Sequence, residues 1–168
     1  MELMFKGYRS FEAQPDDPLR LKWDAVRRSL AVPSITYKSI SALNEDVNHR
    51  IFYLAELTGA DVWQTPEQTW SLGNGDCEDF AILKYALLQP DTLARIVVGE
   101  IKSIAGNKPH AWCAFFDHGD WYALDSMFDQ IIKVTDYINW LPMAAMWDEH
   151  VVRFGPEFTI ADQLKEVA

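Results

Sequence analysis

The sequence predicts an α+β fold in which a helical N-terminal half presents one cysteine, at the start of a helix, to an antiparallel β-sheet. Three observations carry that prediction. Apolar residues recur at three- and four-residue steps before Pro90, strand-like runs divided by turn residues follow it, and Asp76-Cys77-Glu78-Asp79 opens an almost wholly apolar helix. With 168 residues, 49% of them apolar, the chain has the length and the core material of one domain spanning 1–168.

Residues 1–19, which carry Gln14-Pro15-Asp16-Asp17-Pro18, read as an extended arm. A short helix follows from Leu21 to Leu30, with Trp23, Val26 and Leu30 on one side, and Pro33 stops it; arm and helix fill positions 1–40. From Ser41 to Leu57 the apolar positions Leu43, Val47, Ile51, Leu54 and Leu57 define an amphipathic helix with Gly59 as its C-cap. Thr65-Pro66-Glu67-Gln68 supplies a capping threonine, a proline at the first helical position and a glutamine at the third, for a turn or two ending at Gly73. Gly73 and Gly75 then turn the chain, Asp76 caps the next helix with Asp79 as reciprocal partner, and that helix runs to Gln89-Pro90. Its apolar residues occupy nearly every face, so it belongs in the core.

Beyond Pro90, Ala94–Ile104, Ala111–Phe116, Trp121–Leu124 and Gln130–Val134 read as an antiparallel meander. Thr135 to Trp147 is undecided between strand and a helix interrupted by Pro142; His150–Phe154 reads as a last strand and 155–168 as a tail.

A formal net charge of −10 argues against a nucleic-acid groove or an anionic membrane as the partner, since both ask for a basic surface. The N-terminus lacks the basic start, apolar core and cleavage site of a secretory signal, and no apolar run spans a bilayer. A soluble protein is expected, cytoplasmic or virion-associated as the chain stands and periplasmic if a signal has been removed. Cys77 and Cys113 are expected to be reduced.

Cys77 carries the chemistry. At the first position of a helix, free backbone N–H groups and the positive end of the dipole favour a thiolate, the reactive form of cysteine. Asp76, Glu78 and Asp79 oppose it by charge. Something positive is therefore expected nearby: an imidazolium beside the sulfur, a cation on the carboxylates, or both.

His110 opens one predicted strand and Asp125 ends the next. If the two strands pair as a hairpin, registers that set Asp125 opposite His110 or opposite Trp112 put both side chains on one face, whereas the intermediate register parts them. Cys77 as nucleophile, His110 as general base and Asp125 as its orienter would then form a triad, with backbone N–H groups around Cys77 as an oxyanion hole worth ~3–4 kcal/mol per donor. Cys113 falls on the other face of the strand from His110, which works against a zinc site built from Cys77, His110 and Cys113. Trp63 and Trp112 are placed to line a groove beside Cys77.

Thr65-Pro66, the block Gly75-Asp76-Cys77-Glu78-Asp79-Phe80-Ala81 with Lys84-Tyr85, His110 before an aromatic-rich strand, and Leu124-Asp125 together resemble the bacterial transglutaminase-like cysteine proteinases of the LapG type, over roughly Ser41 to Val134. The resemblance implies a transglutaminase-like, papain-like core, a Cys77-His110-Asp125 triad, a protein or peptide substrate, and calcium bound through Asp76, Glu78 and Asp79. Two other outcomes fit the same residues: acyl transfer to an amine, and a non-catalytic binding or structural module, such as a phage component, that retains the triad.

Overall fold

The computed structural model describes residues 8–55, 61–137 and 139–156. Its elements follow the chain as β1 (Tyr8–Glu12), α1 (Pro18–Val26), α2 (Ile40–Arg50), β2 (Phe52–Tyr53), α3 (Pro66–Leu72), β3 (Asn74–Gly75), α4 (Cys77–Leu88), β4 (Ala94–Ile101), β5 (Lys108–Asp117), β6 (Asp120–Leu124), β7 (Ile132–Lys133), β8 (Trp140–Trp147) and β9 (His150–Pro156). Seven strands form one antiparallel sheet in the order β1-β9-β8-β4-β5-β6-β7, and β2 and β3 make a small parallel pair. The α+β class and the β4-to-β7 meander are as expected.

Several boundaries differ, each for a local reason. Part of the expected arm, Tyr8–Glu12, is edge strand β1 on β9. The first helix starts at Pro18 because Asp17 accepts the Leu19 N–H at 2.8 Å and Pro18 supplies the first helical φ. The next helix stops at Arg50 and Ile51 turns extended, which lets Phe52 and Tyr53 pair with Asn74 and Gly75. The predicted cap Gly59 and the predicted last helical residue Leu57 lie outside the described residues. Around Pro142 the chain is strand β8, and the register shift between Val98 and Gly99 on its neighbour β4 falls beside that proline, which cannot donate to the ladder.

Helix α4 is the hub. It packs on the sheet face carrying Ala111, Cys113 and Phe115, with Trp23, Leu43 and Val47 of α1 and α2 completing the same core. Strand alternation sends Trp112 and Ala114 to the opposite face, into a second core with Val97, Ala123 and Ala145. Both cysteines are free and buried, and Cys113 belongs to the main core.

Candidate active site

The start of α4 is held by a reciprocal capping box between Asp76 and Asp79. Asp79 is 2% exposed; its Oδ2 accepts the Asp76 N–H at 3.2 Å and its Oδ1 the Gln64 N–H at 2.8 Å. Gly75 has to be glycine, because a Cβ there would lie 2.7 Å from Asp79 Cβ. Together these contacts fix where Cys77 points.

The Cys77 thiol is buried and donates to Glu78 Oε2 at 2.9 Å, while the Ala111 N–H and the Tyr53 hydroxyl also reach the sulfur. Burial, then the charge and hydrogen bond of Glu78, push the thiol well above its ordinary range, and Asp76 adds to the push. The Ala111 N–H works the other way. Burial and the neighbouring carboxylates thus work against the thiolate that the helix start favours. Asp76 shares in the crowding, since burial, Glu78 and Asp79 push its carboxyl up to about 7.

His110 and Asp125 come together. The hairpin turns at His118-Gly119, both in the left-handed region, and pairs Cys113 with Leu124, the register that carries Asp125 toward Trp112 and onto the face of His110. His110 Nε2 donates to Asp125 Oδ2 at 2.8 Å, both side chains being buried. That contact leaves Nδ1 as the ring nitrogen able to take a proton. Asp125 Oδ1 accepts the Met127 N–H at 2.6 Å, so the carboxylate is gripped at both oxygens.

A cleft of about 240 Å³ opens beside this site, with Glu78 and His110 in its wall alongside Leu19, Lys22, Gly99, Pro109, Met143 and Arg153. Neither Trp63 nor Trp112 is among the residues that line this cleft. Trp112 is 2% exposed and lies on the second core, stacked on the His110 ring at 6.4 Å and edge-on to Trp140 at 4.3 Å. It backs the imidazole. Trp63 is buried, with the Lys22 ammonium 5.6 Å above its ring.

Three residues at the site had no role assigned from the sequence. Tyr53 is brought to Cys77 by the pairing of β2 with β3, and its ring packs on Phe80 at 6.2 Å. Lys84 and Asn48 are tied to the Asp125 main chain, Lys84 Nζ at 2.9 Å and Asn48 Nδ2 at 3.0 Å from its carbonyl oxygen. A lysine in the middle of an otherwise apolar buried helix was the available signal for the second group. Nothing local marks Tyr53, which depends on a two-residue strand.

Among the described residues no group of three His, Cys, Asp or Glu side chains is disposed to hold a metal ion. The pair Asp76 and Glu78 does fit a hard cation: two carboxylates in hydrogen-bonding contact, one of them pushed up by the other's charge. Asp79, expected among the ligands, instead gives both oxygens to backbone N–H groups.

A buried His-Asp pair lies on one strand hairpin of an α+β core, on the strand whose Ala111 N–H reaches the sulfur of a cysteine at a helix start. The chain belongs to the bacterial transglutaminase-like cysteine proteinase family, whose family model matches residues 16–150, and it is a cysteine protease. Among solved structures it is similar to LapG of Legionella pneumophila, at 28% identity and a TM-score of 0.56, over 84% of this chain and 81% of that one. Calcium-bound LapG from the same organism matches at 25% identity and a TM-score of 0.58, over 93% of each chain. EGTA-treated LapG matches at 26% identity and a TM-score of 0.56, over 89% of this chain and 87% of that one. Among curated proteins none matches the chain. Among the described residues no helix is long and apolar enough to cross a membrane.

Proposed function

We propose that this protease hydrolyses a peptide or amide bond with Cys77 as nucleophile, His110 as general base and acid, and Asp125 as orienter, within one catalytic domain. The observation that carries the reading is the buried 2.8 Å His110–Asp125 contact on the strand whose next residue, Ala111, gives its N–H to the Cys77 sulfur. In the first step the thiol turns from Glu78 to His110 and gives its proton to Nδ1 as sulfur bonds to the carbonyl carbon. The tetrahedral oxyanion is met by the Cys77 backbone N–H and the Tyr53 hydroxyl. Collapse breaks the C–N bond and His110 returns the proton to the leaving amine. Water, deprotonated by His110, then cleaves the thioester and restores the thiol.

Calcium fits this reading through Asp76 and Glu78. When bound, it supplies positive charge that offsets the two carboxylates and competes with the thiol for Glu78. Asp79 serves by holding the turn that presents both. The calcium-bound and EGTA-treated forms of the similar Legionella protein support testing this ion first.

The test is the rate of Cys77 alkylation by iodoacetamide against pH, with and without calcium, in the wild type and in His110→Ala, followed by peptide mapping. Labelling below about pH 7 that calcium accelerates and His110→Ala abolishes supports the reading, because an unperturbed thiol titrates near ~8.5. Labelling indifferent to His110 sinks it. Incorporation of an amine probe in place of cleavage would reassign the acceptor from water to an amine.

A further inference from the structure

Lys84 sits in the middle of α4 with no exposure to solvent, among Phe80, Ala81, Leu83 and Leu88. A leucine or methionine would fill that volume without burying an ammonium, which is costly unless its N–H groups are satisfied. What Lys84 does in the fold is therefore read from what it holds. Its Nζ donates to Asn48 Oδ1 at 2.6 Å and to the Asp125 carbonyl oxygen at 2.9 Å, and it lies 5.6 Å from the centre of the Phe80 ring.

The same carbonyl takes a second donor, Asn48 Nδ2 at 3.0 Å. Asn48 also donates to Phe128 O at 3.0 Å and Asp129 Oδ1 at 3.1 Å, so α2 and α4 together grip the loop that leaves β6. At Asp125 every acceptor is thereby assigned: the carbonyl to Lys84 and Asn48, one carboxylate oxygen to Met127 N–H and the other to His110.

We propose that Lys84 is a positioning residue of the catalytic site: its buried ammonium anchors the Asp125 main chain so that the carboxylate holds His110 with Nε2 protonated and Nδ1 turned toward Cys77. This rests on the triad reading above. The side chain acts through the Asp125 main chain, directly and by way of Asn48.

The anchor is chargeable, which makes it testable without mutation. Burial pushes Lys84 down to about 8, against the opposing pull of Asp125 at the end of β6, Cys113 on β5 and Asp129 in the following loop; α2 presents the neutral Asn48. Loss of the proton takes away the charge and one of the three N–H groups, which weakens the hold on the carbonyl. Stability moves the other way: with the folded value below the ordinary 10.5, the unfolded chain binds more protons between the two, so the fold gains stability as pH rises through that window. A disturbance of His110 that appears there is therefore not a symptom of unfolding.

The experiment follows the Lys84 side-chain carbon and the His110 ring nitrogens by NMR between pH 6 and 10 in the full wild-type chain. The expected result is a Lys84 transition near 8 with the His110 tautomer signals leaving a single Nε2–H form at the same midpoint. His110 signals that stay constant through the Lys84 transition overturn the proposal. In Lys84→Met the ring should show mixed tautomers at neutral pH, and iodoacetamide labelling of Cys77 in calcium buffer should fall at least about tenfold, a fraction of the ~10²- to 10⁴-fold that a positioned base supplies. A folded Lys84→Met protein with a single tautomer and the wild-type rate also overturns it; if that variant fails to fold, the wild-type titration decides. Asp125→Asn separates the two readings. If it keeps the wild-type rate and tautomer, the triad reading fails; if it loses them while the Lys84 measurements stay flat, only the Lys84 proposal fails.

Discussion

His110 and Asp125 meet across the β5–β6 hairpin, Nε2 to Oδ2 at 2.8 Å, because the two-residue turn at His118-Gly119 sets a register that pairs Cys113 with Leu124. A slip of one residue would send Asp125 to the other face. The contact orients the ring and fixes which nitrogen carries the proton, so on the triad reading Asp125→Asn, which keeps the shape and changes the acceptor, should lower kcat by about 10²- to 10⁴-fold with KM little changed. Steady-state kinetics on a cleavable peptide, with circular dichroism as the control for folding, check this.

Glu78 is the present partner of the Cys77 thiol and, after burial itself, the largest cause of its raised pKa. Removing the charge should bring the thiol down. Glu78→Gln is expected to label faster with iodoacetamide at neutral pH in calcium-free buffer than the wild type does, by about tenfold for each unit recovered. The same substitution takes away one of the two carboxylates proposed to bind a cation, so added calcium should no longer accelerate labelling. A variant slower than wild type without calcium would show that Glu78 assists the thiol instead of holding it.

Tyr53 is half exposed, lies against Phe80 and sends its hydroxyl to Cys77; burial and the neighbouring Cys77, Asp76 and Glu78 push that hydroxyl up to about 12, which keeps it a donor at any working pH. Tyr53→Phe should cost about 10²- to 10³-fold in kcat, the usual range for one oxyanion donor, and leave KM near its original value. Measuring both constants is necessary, because a change confined to KM would assign Tyr53 to substrate binding.

Much of this arrangement was legible from short-range rules. Thr65-Pro66-Glu67-Gln68 and Asp76 with Asp79 read as capping boxes and fold as such, since capping depends on residues three apart. The parity of His110 and Asp125 followed from strand alternation once a hairpin was assumed. Features set by distant partners were not legible. Ile51 carries on the apolar period of α2, yet it leaves the helix because β2 has to reach β3, and Tyr8–Glu12 becomes a strand only because β9 offers it an edge. Trp112 packs in the second core against the His110 ring, a placement that depends on Trp140 from the distant strand β8.

Asp17 and Arg153 join the two ends of the described chain and form part of the frame behind the cleft, which Arg153 lines. Arg153 Nε and Nη2 reach the two Asp17 oxygens at 2.9 and 2.7 Å, and Oδ1 also caps α1. The paired guanidinium holds the Asp17 carboxyl below its ordinary value of 3.8. A lowered carboxylate contributes stability that is complete above the unfolded value and disappears as pH falls through the folded one. Asp17→Asn keeps a good cap and loses only the charge, so it isolates the ion pair; the expected cost at pH 7 is about 1–2 kcal/mol. Urea unfolding of both proteins should show that gap constant from pH 5 to 7 and closing below pH 3.8, where the wild type protonates. A gap that persists undiminished at pH 2 would mean that the asparagine disturbs the cap itself, and that the contact with Arg153 adds nothing through charge.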